Sequence, residues 1–238
     1  MKTNHFVIPL VLLATLLLAG CSPQARVGAL RTESQSVELG DARSARVEIA
    51  FGAGGLQVTG GAEKLLEADF NYNVAALKPE VGYTDGTLVV RQPEINGLTS
   101  LRDITDFRNE WNLRLYDQVP MDLSVDAGAG SGDLQLAGLS LTGLDISLGA
   151  GDYTIDLSGD WPRDLDVTID AGAAGVTVRL PRAVGVRVEV DRGPTVIDAP
   201  DLARDGDVYT NEAYGVSDVT LHIQVEAGIG WLNLLEID

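Results

Sequence analysis

One cysteine, two histidines and three lysines are all that this 238-residue chain holds of those types, and each shortage removes a class of chemistry. A lone Cys21 excludes an internal disulfide framework and any multi-cysteine metal site. His5 falls in an apolar leader and His222 stands alone between Leu221 and Ile223. A Ser-His-Asp triad or a histidine metal cluster would have to be built on that single imidazole, so no catalytic residue is assigned. Lys2, Lys64 and Lys78 are too dispersed for a polybasic segment. Lys plus Arg total 17 against 35 Asp plus Glu, a net charge of −18 with a pI near 4.3. That excess argues against nucleic acid, or an anionic lipid surface, as the main partner. Aromatics reach only 5% while glycine numbers 27, which suits tight backbone turns better than an aromatic-lined pocket.

Long apolar runs are also scarce. Phe6 to Ala19 is uncharged, broken only by Pro9 and Thr15, and follows the single charge of Lys2. It is short of the roughly 20 residues a membrane-spanning helix needs and has the length of a signal-peptide core. It ends in Leu18-Ala19-Gly20-Cys21, which resembles a bacterial lipobox. Residues 1–20 are therefore expected to be a lipoprotein signal peptide, with Cys21 the lipidated first residue of the mature protein. The rival readings are an ordinary secretory signal beside an incidental cysteine, or an anchor helix. Removing the leader would leave 238 − 20 = 218 residues. Such a protein is extracytoplasmic, tied by Cys21 to the outer face of the cell membrane. In a cell with two membranes the outer one is mildly favoured, because Ser22 is not an acid. Residues 21–45 are polar and without sustained periodicity, and read as lipidated N-terminus and flexible tether. About 20 extended residues would reach on the order of 65 Å.

The rest of the chain repeats. Gly52, Gly128, Gly149, Gly172, Gly193 and Gly228 sit in Gly-Ala-Gly-like turns. From Gly128 the spacings are 21, 23, 21 and 35 residues, the last containing an insertion. Three positions before these glycines stand Ile49, Val125, Ile146, Ile169, Val190 and Val225; five before stand Val47, Leu123, Leu144, Val167, Val188 and Ile223. Apolar residues two apart turn one face of a strand into a core. A second apolar stretch follows each turn: Leu56; Leu134 and Leu136; Tyr153 and Ile155; Val176 and Val178; Val196 and Ile197; Leu232 and Leu234. A unit this short cannot bury its own apolar face, whereas stacked units form continuous aliphatic ladders. The expected fold is all-β: a β-solenoid, parallel β-helix-like, with coils of about 21–23 residues over a single domain, 46–238. A hairpin-built β-sandwich is the structural rival.

Between the first repeat and the later block, Leu65 to Asn73, Thr87 to Gln92 and Trp111 to Tyr116 read as strands, with a turn at Tyr83-Thr84-Asp85-Gly86. A short helix is expected around Leu101 to Phe107, and the insertion Pro200 to Val216 is expected to fold over one side. Two positions before the turn glycines stand Ala50, Asp126, Ser147, Asp170, Asp191 and Glu226, an outward and mostly acidic ladder. Hard oxygen ligands suit Ca²⁺, but neither an EF-hand loop nor a Gly-Gly-x-Gly-x-Asp nonapeptide is present, so a solvated acidic face is expected and no metal or cofactor is assigned. Gly-Ala-Gly-Ser-Gly at 128–132 lacks the lysine and helix of a phosphate loop. Trp111, Trp161 and Trp231 are scattered and read as packing or capping residues.

The run Asn109-Glu110-Trp111-Asn112-Leu113-Arg114-Leu115, then Val119-Pro120-Met121-Asp122-Leu123, Gly128-Ala129-Gly130 and Leu134-Gln135-Leu136-Ala137-Gly138-Leu139, resembles the toast-rack family of bacterial envelope proteins. That family is related to the C-terminal domain of LiaF-like proteins of the cell-wall-antibiotic response and, more loosely, to adhesin-type β-solenoids. Gly149-Ala150-Gly151-Asp152, Tyr209-Thr210-Asn211-Glu212-Ala213-Tyr214 and Gly228-Ile229-Gly230 fit the same pattern. The resemblance spans roughly 46–238 and implies the fold through structural glycines and aliphatics, with no catalytic group to carry over. Two functions remain. One is a non-catalytic, lipid-anchored protein presenting an acidic surface to an envelope or cell-surface protein or glycan, adhesin-like or linked to envelope stress. The other is an envelope carbohydrate-binding or carbohydrate-active protein using its acidic side; surface aromatics clustered beside two close carboxylates would favour it.

Overall fold

The computed structural model describes residues 27–93 and 106–237. Cys21 and most of the expected Leu101–Phe107 helix lie outside them. Two-residue alternation shapes the long strands β2 (Ala45–Thr59), β7 (Met121–Gln135), β8 (Leu141–Asp156) and β9 (Leu165–Pro181). Each runs through its glycine turn, so one strand supplies two arms bent around a corner. In later rungs the arms are separate strands. β10 (Gly185–Arg192) is followed by β11 (Thr195–Asp198), and β14 (Thr220–Ala227) by β15 (Gly230–Ile237). The arms of neighbouring rungs pair in parallel.

This register delivers the expected ladders. Val47, Leu123, Leu144, Val167, Ile223 and Val188 form one column; Ile49, Val125, Ile146, Ile169, Val225 and Val190 form the next. All twelve are 2% exposed or less. Leu56, Leu134, Ile155, Val176, Val178, Leu232 and Leu234 of the second arms close the same core. The stacked all-β architecture is the one the repeat specifies.

The stacking order departs from chain order at the end. β14 lies between β9 and β10, and β15 between β9 and β11. After β11 the chain makes β12 (Ala203–Asp205) and β13 (Val208–Thr210), which extend the first-arm sheet antiparallel beyond β10, and then returns to insert one further rung. The insertion thus becomes an end cap. Tyr209 is buried, and Asn211 is held by Val186 N–H donating to its Oδ1 and by its Nδ2 donating to the carbonyls of Pro181 and Val184.

At the other end β3 (Leu66–Val74) and β6 (Asn109–Leu115) extend the second-arm sheet, while the hairpin β4 (Glu80–Thr84)–β5 (Thr87–Arg91) extends the first. The outermost strand corrects the tether reading. β1 (Val27–Val37) pairs antiparallel with β3, so residues 27–37 belong to the sheet and not to a tether running to residue 45. β1 shows no apolar alternation because it is an edge strand. Thr32 and Ser34 donate hydroxyls to Asn71 and Asp69, and Tyr72 donates its hydroxyl to Glu33. Val196 is a second correction: placed in an apolar stretch by the alignment, it is 71% exposed, because it shares the outward phase of Trp231 while Ile197 takes the inward phase of Leu232.

Candidate functional site

The corner is built from two rows of glycine. In the row used for the alignment, successive residues stack against the carbonyl of the rung before: Gly128 on Gly52, Gly149 on Gly128, Gly172 on Gly149, Gly228 on Gly172 and Gly193 on Gly228. A Cβ on Gly193 would lie 2.7 Å from the Gly228 oxygen. The left-handed backbone falls two residues later, at Gly54, Gly130, Gly151 and Gly230, with φ of 128°, 137°, 134° and 150°. Polar side chains terminate the rows. Gln92 Oε1 accepts from the Gly52 and Ala53 N–H groups, and Asn109 Nδ2 donates to the Ala53 carbonyl and to Gln92. Thr195 donates its hydroxyl to the Gly228 carbonyl at the far end. Gln92 and Thr195 carried no sequence signal, since one such residue per end makes no pattern.

Beside this corner the structure brings the acidic ladder together. In register order it reads Ala50, Asp126, Ser147, Asp170, Glu226 and Asp191, all exposed. Rungs in such a sheet are about 4.8 Å apart. From Asp126 and Gly128 onward the ladder and the corner glycines line an open groove of about 600 Å³, which Arg192 also lines. A second hollow of about 620 Å³, containing Glu80, Arg91 and Gln92, joins it through Asp126 and Gly128. Among the described residues none of the four carboxylates is salt-bridged; Arg192, which also lines the groove, pairs instead with Asp207 at 3.9 Å. Among those residues no group of three or more His, Cys, Asp or Glu is arranged to hold a metal ion. His222 faces out from β14.

Perturbed groups lie away from the groove. Burial raises the Asp156 carboxyl, but the Ser158 hydroxyl and N–H and the Arg179 guanidinium outweigh it and hold the group below its ordinary value. Lys78 and the Tyr72 hydroxyl lower Glu33, and burial raises Tyr153. The tryptophans do not cluster. Trp111 packs edge-on against Phe51 and Phe70, at 5.1 and 5.3 Å between ring centroids, and Trp161 is buried with its Nε1 donating to the Leu157 carbonyl. Trp231, expected to pack or cap a coil end, instead lies over Gly175 on the outer face, 39% exposed.

Fold and face together define a class: a stack of parallel two-armed β-rungs whose glycine corner carries an open, charged surface. More narrowly, the chain belongs to the toast-rack family, because the model of the N-terminal domain of toast_rack, DUF2154, matches residues 26–179. That match starts one residue before β1 and so includes this strand in the family's domain. The chain is similar to the crystal structure of a putative cell adhesion protein from Clostridium sporogenes, at 30% identity and a TM-score of 0.81, covering 88% of this chain and 100% of that one. It also matches a putative adhesin from Bacteroides fragilis at 11% identity and a TM-score of 0.36, over 87% of this chain and 97% of that one. No curated protein matches. Among the described residues no helix is long and apolar enough to cross a membrane.

Proposed function

We propose that this is a non-catalytic, adhesin-like toast-rack protein, lipid-anchored through Cys21 on the extracytoplasmic side and presenting the acidic ladder to an envelope or cell-surface partner. The observation that carries the reading is the ladder itself. Among the described residues Asp126, Asp170, Glu226 and Asp191 stand without an ion-pair partner, on rungs stacked in register. Carboxylates that no cation of the fold pairs with leave their field to attract a cationic partner. The Clostridium sporogenes relative, described as a putative cell adhesion protein, supports the adhesin-like part, and the lipobox-like run Leu18 to Cys21 supports the anchor. The glycan reading has less support, because Trp111 and Trp161 are buried and the exposed Trp231 and Tyr214 do not line the acidic groove.

The test compares wild type with a variant carrying Asp126→Asn, Asp170→Asn, Asp191→Asn and Glu226→Gln for retention on envelope fragments of the producing cell at low and high salt. Loss of retention in the variant, and in wild type at high salt, is expected. Equal retention of both proteins would remove the ladder from the function. Hydrolysis of envelope glycan by the purified protein would overturn the non-catalytic reading.

A further inference from the structure

Strand β1 starts at Val27, only six residues after the cysteine expected to carry the lipid. Six Cα–Cα steps span at most about 21 Å, a third of the reach that a tether through residue 45 would have given. We infer that the β1 end of the stack is held against the lipid surface, with Val27 and Leu30 seated at the interface. This rests on the lipidation of Cys21 proposed above.

Three features of the β1 end fit that partner. Val27, Gly28, Ala29 and Leu30 form an uncharged, exposed run, with Val27 38% and Leu30 62% accessible. Pairing with β3 is broken there: Val27 opposes Val74 and Arg31 opposes Tyr72, so Gly28, Ala29 and Leu30 face Asn73 alone and bulge from the edge. The described residues leave Leu30 62% exposed on that bulge, whereas apolar side chains are favourable in the acyl–headgroup boundary.

Charge sorts the two ends of the stack in the same sense. Both lysines that remain beyond the leader bind β1 or the turn after it: Lys78 pairs with Glu33 at 2.8 Å and Lys64 with Glu38 at 2.7 Å. Residues 27–93 carry six Lys and Arg against nine Asp and Glu, while residues 136–237 carry six against seventeen. The second set builds the rungs from β8 outward. Anionic headgroups repel acids within about a Debye length, so the acid-rich half is driven away while the lipid holds the other. From β1 to β11 the second-arm sheet has nine strands, and eight spacings of about 4.8 Å put the ends about 38 Å apart. The outer rungs of the ladder, Glu226 and Asp191, are thereby carried clear of the bilayer.

The experiment uses the full chain, processed in cells and reconstituted into vesicles of phosphatidylethanolamine and phosphatidylglycerol. Acylation consumes the only native thiol, so Ala29→Cys or Val196→Cys supplies a single site for an environment-sensitive fluorophore. Both positions are exposed, so both variants are expected to fold. Brominated lipid should quench the label at 29 several-fold more than the label at 196, and adding Leu30→Glu should remove most of that difference. Equal quenching at the two sites, or stronger quenching at 196, overturns the orientation. An unchanged signal with Leu30→Glu overturns the role of the bulge. Mass spectrometry of the N-terminal peptide separates the two failures, because an unmodified Cys21 overturns the anchor itself and this inference with it.

Discussion

At Gly130 and Gly151 a side chain has nowhere to go, and the two reasons can be separated. Gly151 has φ of 134°, and a Cβ there would fall on the Gly130 carbonyl oxygen. Gly138 has φ of 83°, but open space where its Cβ would be. Left-handed backbone costs a non-glycine residue about 1–2 kcal/mol, so Gly138→Ala should lower stability by about that much. Gly151→Ala adds a clash with rigid backbone and should cost at least about 3 kcal/mol in denaturant unfolding. Similar losses for both would mean that φ alone, and not rung-to-rung contact, selects glycine at the corner. Asp156 makes a residue-scale claim about pH. Its pKa is depressed in the fold, so the stabilisation is present above the ordinary carboxylate value of 3.8 and is lost as pH falls through the lower folded value. The stability gap between wild type and Asp156→Asn should therefore be constant near neutrality and close in the acid range. A gap that widened on acidification would contradict the assigned Ser158 and Arg179 partners.

At the scale of the element, alternation decides which side of each strand is core. Ile146 is 1% exposed and its neighbour Ser147 faces the groove. Ile146→Asp buries an unpaired carboxylate and should cost about 4 kcal/mol or more, enough to unfold much of the body, while Ser147→Asp should melt within a few degrees of wild type. Equal damage would mean the columns had been read one residue out of register. These columns were legible because every rung repeats the same two aliphatics at a fixed distance from a glycine. The acidic ladder came with them, since it is the outward phase of the same alternation. β1 was not legible: an edge strand that hydrogen-bonds through Thr32, Ser34 and Glu33 has no buried stripe to reveal its period. The crossed order of β14 and β10 was hidden for a different reason. Rungs with interchangeable columns can stack in either order, and only the 35-residue gap between Gly193 and Gly228 hinted that the chain leaves the stack and returns. Asn211, buried where that detour closes, satisfies backbone groups that no neighbouring rung reaches.

The whole molecule is a stack of rungs, and its stability is expected to be a sum over neighbouring rungs. Like charges one rung apart on the ladder repel, so some stability is lost to the display of Asp170, Glu226 and Asp191 side by side. Salt should restore part of it through screening, whichever cation is used. A selective Ca²⁺ site behaves differently. A ligand that binds only the folded state adds RT ln(1 + [L]/Kd), about 2.7 kcal/mol at a hundredfold excess over Kd. In a body of this size that raises the melting midpoint by several degrees. Millimolar Ca²⁺ is expected to move the midpoint no further than Mg²⁺ at the same concentration, and both shifts should shrink when sodium chloride is already present. A shift specific to Ca²⁺, persisting in salt and abolished by Asp170→Asn with Asp191→Asn, would convert the solvated face into a metal-dependent one. It would also change the chemistry of the partner, because a face neutralised by calcium recruits anionic groups where a bare ladder of carboxylates recruits cationic ones.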